Sequence, residues 1–276
     1  MIGNSEEQLK LKKKKVLLRQ LKIIEQQERK LSEGKDSGLI MSRISPVMEK
    51  VQDKIPEKLN ATLDKAFYKG FQLVFDKGSI YIEKTYQKNK LQLEYDLNNY
   101  AVDKYANRKL IKRLDKQSKR SNRINSSIAV IEGGVLGFLG IGLPDIPLFT
   151  AVIIRNLNEI ALSYGYHYDT PEEKNYQLTL ICCALSKGDV LKQYSEEADT
   201  MGARLDRGII VEKEKDYIRE AAYLLSDTLL TSKFIQGIPL VGIIGGAVNH
   251  SVITRINRYA RLKYKKRYLQ NKIQAI

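Results

Sequence analysis

The chain has no tryptophan, only two histidines, and only two cysteines, which are neighbours at Cys182 and Cys183. Adjacent cysteines cannot readily adopt ordinary disulfide geometry, so no disulfide framework is expected. Both lie in the apolar run 178–185, where they read as small core hydrophobes in a reducing compartment. Of the histidines, His167 is expected at the surface and His250 in the core. Neither has the Ser/His/Asp or Cys/His surroundings of a nucleophilic site. Six prolines and 18 glycines in 276 residues exclude a collagenous or Pro/Gly-rich disordered chain. No long stretch alternates with period two, so no sheet is expected. Neither G-x-x-x-x-G-K-[ST] nor G-x-G-x-x-G after a strand occurs, which removes the common phosphate-cradling loops. The first residues lack the short apolar stretch of a signal peptide, so a cytoplasmic location is expected.

What is present is a large apolar fraction, 43%, sufficient for a substantial core, and a net charge of +15. The charge is unevenly spread. Residues 1–126 hold 29 basic and 16 acidic residues, residues 127–254 hold ten and 16, and residues 255–276 hold eight and none. Basic ends attract polyanions, either an anionic membrane or nucleic acid.

The patterning is helical. Residues 9–31 read as a basic amphipathic helix with Leu11, Leu18, Leu21 and Ile24 near one face. A breaker cluster at 33–38 then reads as a linker. Val47, Val51, Ile55, Leu59, Leu63 and Phe67 recur every fourth residue, interrupted by Pro56. Phe71, Val74 and Phe75 continue that face, and Gly70 and Gly78 weaken the helix without forbidding it. Residues 104–123 carry nine cations against Asp115 alone. Gly165 suits a helix end. Thr170, Pro171 and Glu173 form a helix start, with Glu173 at the capping-box position. Residues 255–272 form a basic terminal helix.

Two apolar segments stand apart. Residues 128–154 contain five glycines with Glu132 and Asp145, and residues 234–254 contain four glycines and no charge. Each is long enough to span a bilayer. A central acid opposes insertion by about 2.5–3.5 kcal/mol, and the net-acidic amphipathic stretch between the segments would have to fold on the far side. Buried core helices are therefore the favoured reading. Gly133 and Gly137 are four apart, as are Gly242 and Gly246, a spacing that lets two backbones approach closely. The two glycine-bearing helices are expected to touch.

Glu132-Gly133-Gly134, Leu143-Pro144-Asp145-Ile146-Pro147, Arg155 with Asn158-Glu159-Ile160-Ala161, and Tyr164-Gly165-Tyr166 resemble the EcsC family. So do Pro171-Glu172-Glu173, Ile238-Pro239, Gly245-Gly246, Asn249, and Arg258 with Ala260 and Arg261. The resemblance covers roughly residues 46–267. It implies a bacterial protein of a family named for a protein encoded beside an ABC transporter, and it implies no reaction or cofactor. Residues 1–45 are accordingly expected as a basic extension and linker, and residues 46–276 as the family-like helical domain.

Two constellations are candidates for function. Glu132, Asp145, Arg155, Asn158, Glu159 and Asn249 are polar residues on apolar helices, costly to bury unpaired. Arg155 and Glu159 can pair at i, i+4, and Asp145 can cap the helix that follows it. The bland reading is a buried ion-pair and capping network. The sharper one is an enzyme or metal-binding module, with the carboxylates as ligands or acid and base and Arg155 holding an anion. The second constellation, Arg255, Arg258, Arg261, Lys263, Lys265, Lys266 and Arg267, interleaves with Tyr259, Tyr264 and Tyr268. Such a helix can lie on anionic lipid or stack on bases, and the neighbouring apolar segment favours lipid. The sequence thus predicts an all-α bundle with two glycine-rich apolar central helices and basic terminal helices. It is expected to act without catalysis at the inner membrane face, binding anionic lipid or a membrane transport component such as an ABC transporter.

Overall fold

The computed structural model describes residues 2–33, 56–120, 145–209, 216–236 and 246–276. Every regular element among them is helical. In chain order these are α1 (Ile2–Ser32), α2 (Glu57–Leu73), a π-turn (Val74–Gly78), α3 (Ser79–Glu83), α4 (Lys88–Tyr105) and α5 (Arg108–Arg120). There follow α6 (Asp145–Ser163), α7 (Pro171–Leu185), α8 (Gly188–Asp206), α9 (Tyr217–Gln236) and α10 (Gly246–Gln274).

The chain punctuates these helices as its residue types require. α2 begins directly after Pro56, whose extended backbone cannot belong to the helix interior. α6 ends at Ser163 and is closed by Gly165, which has φ +82°. The Tyr166 amide returns to the Ala161 carbonyl at 3.0 Å and the Gly165 amide to Leu162 at 3.1 Å, so two orphaned carbonyls are satisfied. α7 opens as expected, with Thr170 Oγ1 accepting from the Glu173 amide at 3.1 Å and Pro171 at the first turn. The Glu173 side chain departs from the capping-box expectation. It turns inward to Arg267 and Tyr264.

The core is built around α6, α7 and α10. α6 packs on α2, α4 and α10, and α7 packs on α8, α9 and α10. The α2 stripe is buried as its spacing requires, through Leu63, Phe67, Phe71 and Val74. Phe67 meets Phe149 of α6 edge-on with centroids 6.2 Å apart. Cys182 and Cys183 are free thiols in this core. One helix among the described residues, Ile146–Ser163, is long and apolar enough to cross a membrane, and nearly all of it is covered by the rest of the chain.

Three expectations need correction or restriction. The first helix is integral to the packing: α1 lies on α10, and Leu17, Gln20 and Ile24 face inward while Leu11 and Leu18 remain exposed. The buried face is thus rotated from the expected one, because Glu28 is drawn to lysines of α10. His250 is exposed, as is His167. The helices that carry the ends of the two apolar segments, α6 and α10, do touch. Gly246 is the first residue of α10, whereas Gly133, Gly137 and Gly242 lie outside the described residues.

Candidate functional site

Most of the cations expected on an anion-binding face of α10 point into the protein. Lys263 is only 1% exposed. Its ammonium donates to Asp199 Oδ1 at 2.8 Å, Ser195 Oγ at 2.7 Å and the Ser195 carbonyl at 3.0 Å, and lies 3.1 Å from Glu28 Oε1. Lys266 bonds the other oxygens of the same acids, Glu28 Oε2 at 2.9 Å and Asp199 Oδ2 at 2.6 Å. Burial alone would lower the Lys266 ammonium, but Glu28 and Asp199 outweigh it and hold it above its ordinary range. Two lysines and two carboxylates from three helices thus close a charge-balanced square. Lys265 meets Asp115 of α5 at 2.7 Å, and Arg255 donates to the Ser186 carbonyl at 3.1 Å.

Arg267 is also buried, at 4% exposure. It donates to Glu173 Oε1 and Oε2 at 2.9 and 3.2 Å, and to Asp206 Oδ1 and Oδ2 at 2.6 and 3.3 Å. Its guanidinium lies 4.1 Å from the Tyr166 ring centre and 4.4 Å from that of Tyr176. A Cβ at Gly202 would stand 2.8 Å from Arg267 Cδ, so the glycine makes room for the arginine stem. Burial pushes the Glu173 carboxyl up, and Arg267 and Tyr264 oppose that push.

The expectation that Lys263, Lys265, Lys266 and Arg267 hold external anions therefore gives way to an internal role. Acids of α1, α5, α7 and α8 converge on the C-terminal half of α10 and pair with these four cations. Tyr259, Tyr264 and Tyr268 are also buried, which removes them as base-stacking platforms. The acids Glu28, Asp115, Asp199 and Asp206 had no place in the sequence-based sites. A signal for two of them existed: Asp199 and Asp206 are seven apart on α8 with Gly202 between, one helix face matched to Lys263 and Arg267.

The other polar set is only partly within the described residues. Glu132 lies outside them. Asp145 is the first residue of α6, and its side chain and that of Asn249 are likewise outside. The three that are described lie on one helix. Arg155 and Glu159 pair at 2.6 Å, both nearly buried, and Arg155 Nε donates to Thr85 Oγ1 at 2.9 Å. Asn158 accepts from Gln177 Nε2 at 3.0 Å. Beside them Tyr86 donates to Tyr168 at 2.5 Å, and Tyr168 to Glu83 at 2.7 Å. A cavity of about 250 Å³ opens between Asn158, Gln177, Tyr168 and the π-turn. The Arg155–Glu159 pair itself does not line it, so these two residues support the packing of α6 on the Thr85 turn.

A larger cavity, about 410 Å³, lies between α1, α5 and α10. Here the two basic stretches of the sequence meet. α5 contributes Arg108, Lys112 and Lys119, and α10 contributes Arg258, Arg261 and Lys265. Among the described residues Asp115 is the one carboxylate in the lining, and its oxygens are taken by Tyr164 at 3.0 Å and Lys265 at 2.7 Å. α5 presents its cations here because Ile111 and Leu114 are buried, which fixes the rotation of the helix. α1 supplies a third wall of Gln20, Ile23, Ile24 and Gln27. The arrangement is a concave cationic groove with an apolar flank, suited to an anion attached to an apolar body.

Fold and site define, among the described residues, an all-helical protein organised on a basic helix whose C-terminal half is paired with acids of neighbouring helices, with an open cationic groove beside it. The model of the EcsC protein family matches residues 18–269, and the chain belongs to that family. The match begins inside α1, which fits the packing of that helix and extends the family region beyond the expected start near residue 46. The chain is also similar to an uncharacterized protein, YdbA, of Bacillus subtilis strain 168, with 28% identity over 157 residues. That segment covers 55% of this chain and 56% of the relative, so the chain spans little more than half of that protein's length. No solved structure matches.

Proposed function

We propose that this protein works without catalysis at an anionic membrane surface on the cytoplasmic side, docking through the groove between α1, α5 and α10. The observation that carries the reading is the meeting of two basic segments, well over a hundred residues apart in sequence, in one concavity whose described lining residues include six cations and one carboxylate. The exposed side of α1 supports it: Leu9, Leu11 and Leu18 lie among Lys10 and Lys12–Lys15, an apolar and cationic mixture suited to headgroup depth. A membrane transport component would be a protein partner at the same surface.

Vesicle flotation tests this. The protein should float with vesicles containing anionic lipid and not with neutral ones, and 0.5 M salt should release it, because exposed charges are screened within about 3–10 Å at high and moderate salt. Arg108→Gln with Lys112→Gln removes two exposed charges from the groove. At about 1 kcal/mol each, binding should weaken roughly thirtyfold with the fold intact. Equal recovery on neutral and anionic vesicles would sink the proposal.

A further inference from the structure

Resting on that reading, we infer that the groove is a specific site for a single phosphomonoester headgroup, such as the terminal phosphate of phosphatidic acid, rather than a general basic surface. Its shape is the first argument. A flat lipid surface is met by a flat or convex basic face, whereas a cavity of about 410 Å³ admits one headgroup and excludes the bilayer plane. Charge is the second. Among the described residues of the lining, cations exceed carboxylates by five, and the carboxylate there, Asp115, already serves Tyr164 and Lys265. A dianion matches such an excess better than the single charge of a phosphodiester.

Placement is the third argument. Arg108 and Lys112 stand on α5, and Arg258 and Arg261 stand on α10, so cations bound the cavity from two helices. A monoester offers three terminal oxygens to donors on both walls, and a diester offers two. Guanidinium groups suit this role because they bind phosphate with paired, parallel hydrogen bonds. Burial disfavours the charged form of Arg261 and the adjacent Arg258 adds to this, while Tyr164 and Asp115 oppose it. Ile23, Ile24 and Leu262 then face the glycerol and first acyl carbons that follow the phosphate.

The test compares vesicles of equal surface charge containing either phosphatidic acid or phosphatidylglycerol, with glycerol 3-phosphate as a soluble competitor. Binding to the phosphatidic acid vesicles should be at least tenfold tighter, and glycerol 3-phosphate should compete while glycerol should not. Arg258→Gln with Arg261→Gln should abolish the preference and leave weak binding to both vesicles, with helicity unchanged by circular dichroism. Equal affinity for the two lipids in the parent protein overturns the headgroup assignment and leaves membrane docking standing. No binding to either vesicle, with glycerol 3-phosphate still bound, overturns the membrane reading and assigns the site to a soluble phosphomonoester. A preference that survives the double substitution overturns the assignment to these arginines.

Discussion

Replacing Arg267 by methionine removes one charge from a cluster that has two carboxylates and one cation. Glu173 and Asp206 each receive two hydrogen bonds from the guanidinium, and both are nearly buried beside it. Methionine keeps much of the stem volume and leaves both acids without their cation. Breaking a buried pair by removing one partner costs about 3–5 kcal/mol. The stacked tyrosine faces add about 0.5–2 kcal/mol of cation–π attraction. A loss of about 4–6 kcal/mol is therefore expected, a fall in Tm of roughly 10 °C for a chain of this size. Lysine should not restore it, because one ammonium cannot bond two carboxylates in paired fashion. Glu173→Gln alone should cost much less, because Arg267 and Asp206 remain as a balanced pair, and added to the Arg267→Met variant it should recover part of the loss. The pH dependence fixes the cause. Burial already raises the Glu173 carboxyl, and losing Arg267 raises it further. A carboxyl raised in the folded state contributes stability below its unfolded pKa and loses it as pH rises through the folded one. The deficit of the variant relative to the parent should therefore be smallest near pH 4–5 and largest at neutrality. Chemical denaturation at both pH values measures it. A deficit under about 1 kcal/mol, or one that grows on acidification, would refute an Arg267-centred core.

Three further substitutions or reactions probe other parts of the frame. Gly165→Ala meets both a left-handed backbone and the Tyr95 ring, whose Cζ would lie 2.2 Å from the new Cβ, so a loss above the roughly 1–2 kcal/mol of the backbone alone is expected in thermal melts. Cys183 should resist thiol reagents up to pH 9 in the native protein and react on unfolding, because burial pushes its thiol up to about 12. Rapid native labelling at Cys183 would contradict the packing of α7. Asn156 is fully buried with both amide atoms unpartnered, so Asn156→Leu, which keeps the branched outline, should leave stability unchanged or raise it by about 1–2 kcal/mol. A marked drop in Tm would show that those atoms are satisfied by ordered water.

Local punctuation was legible in the sequence because it depends on neighbours in the chain. Thr170 and Pro171 open α7, Gly165 closes α6, and Arg155 reaches Glu159 one turn away. The fourfold stripe of α2 and the buried cysteines follow from residue type in the same way. Partners distant in sequence were not legible. A helix with eight cations and no acid reads as solvated when its charge is counted alone. Its acids arrive from Glu28, Asp115, Glu173, Asp199 and Asp206 on four other helices. Glu173 shows the competition directly: its amide obeys the local capping rule, while its carboxylate leaves the capping box for Arg267 and Tyr264. Of the polar set on the apolar segments, α6 brings Arg155, Asn158 and Glu159 together, and they bond to Thr85 and Gln177.

The segmental charges acquire a different meaning once α10 is placed in the middle of the bundle. The excess of acids between residues 127 and 254 is opposite in sign to the basic end, and α7 and α8 deliver three of those acids to it. Cancellation within the fold therefore consumes most of the positive charge that seemed available for a partner. Lys263, Lys265, Lys266 and Arg267 are committed to carboxylates, and Arg258 and Arg261 line the groove together with cations of α5. An overall charge of +15 would attract any polyanion, but among the described residues the groove gathers six cations in one concavity. Specificity then depends on the shape and valence of the anion. For that reason, two lipids of equal surface charge separate the hypotheses more sharply than anionic against neutral vesicles can.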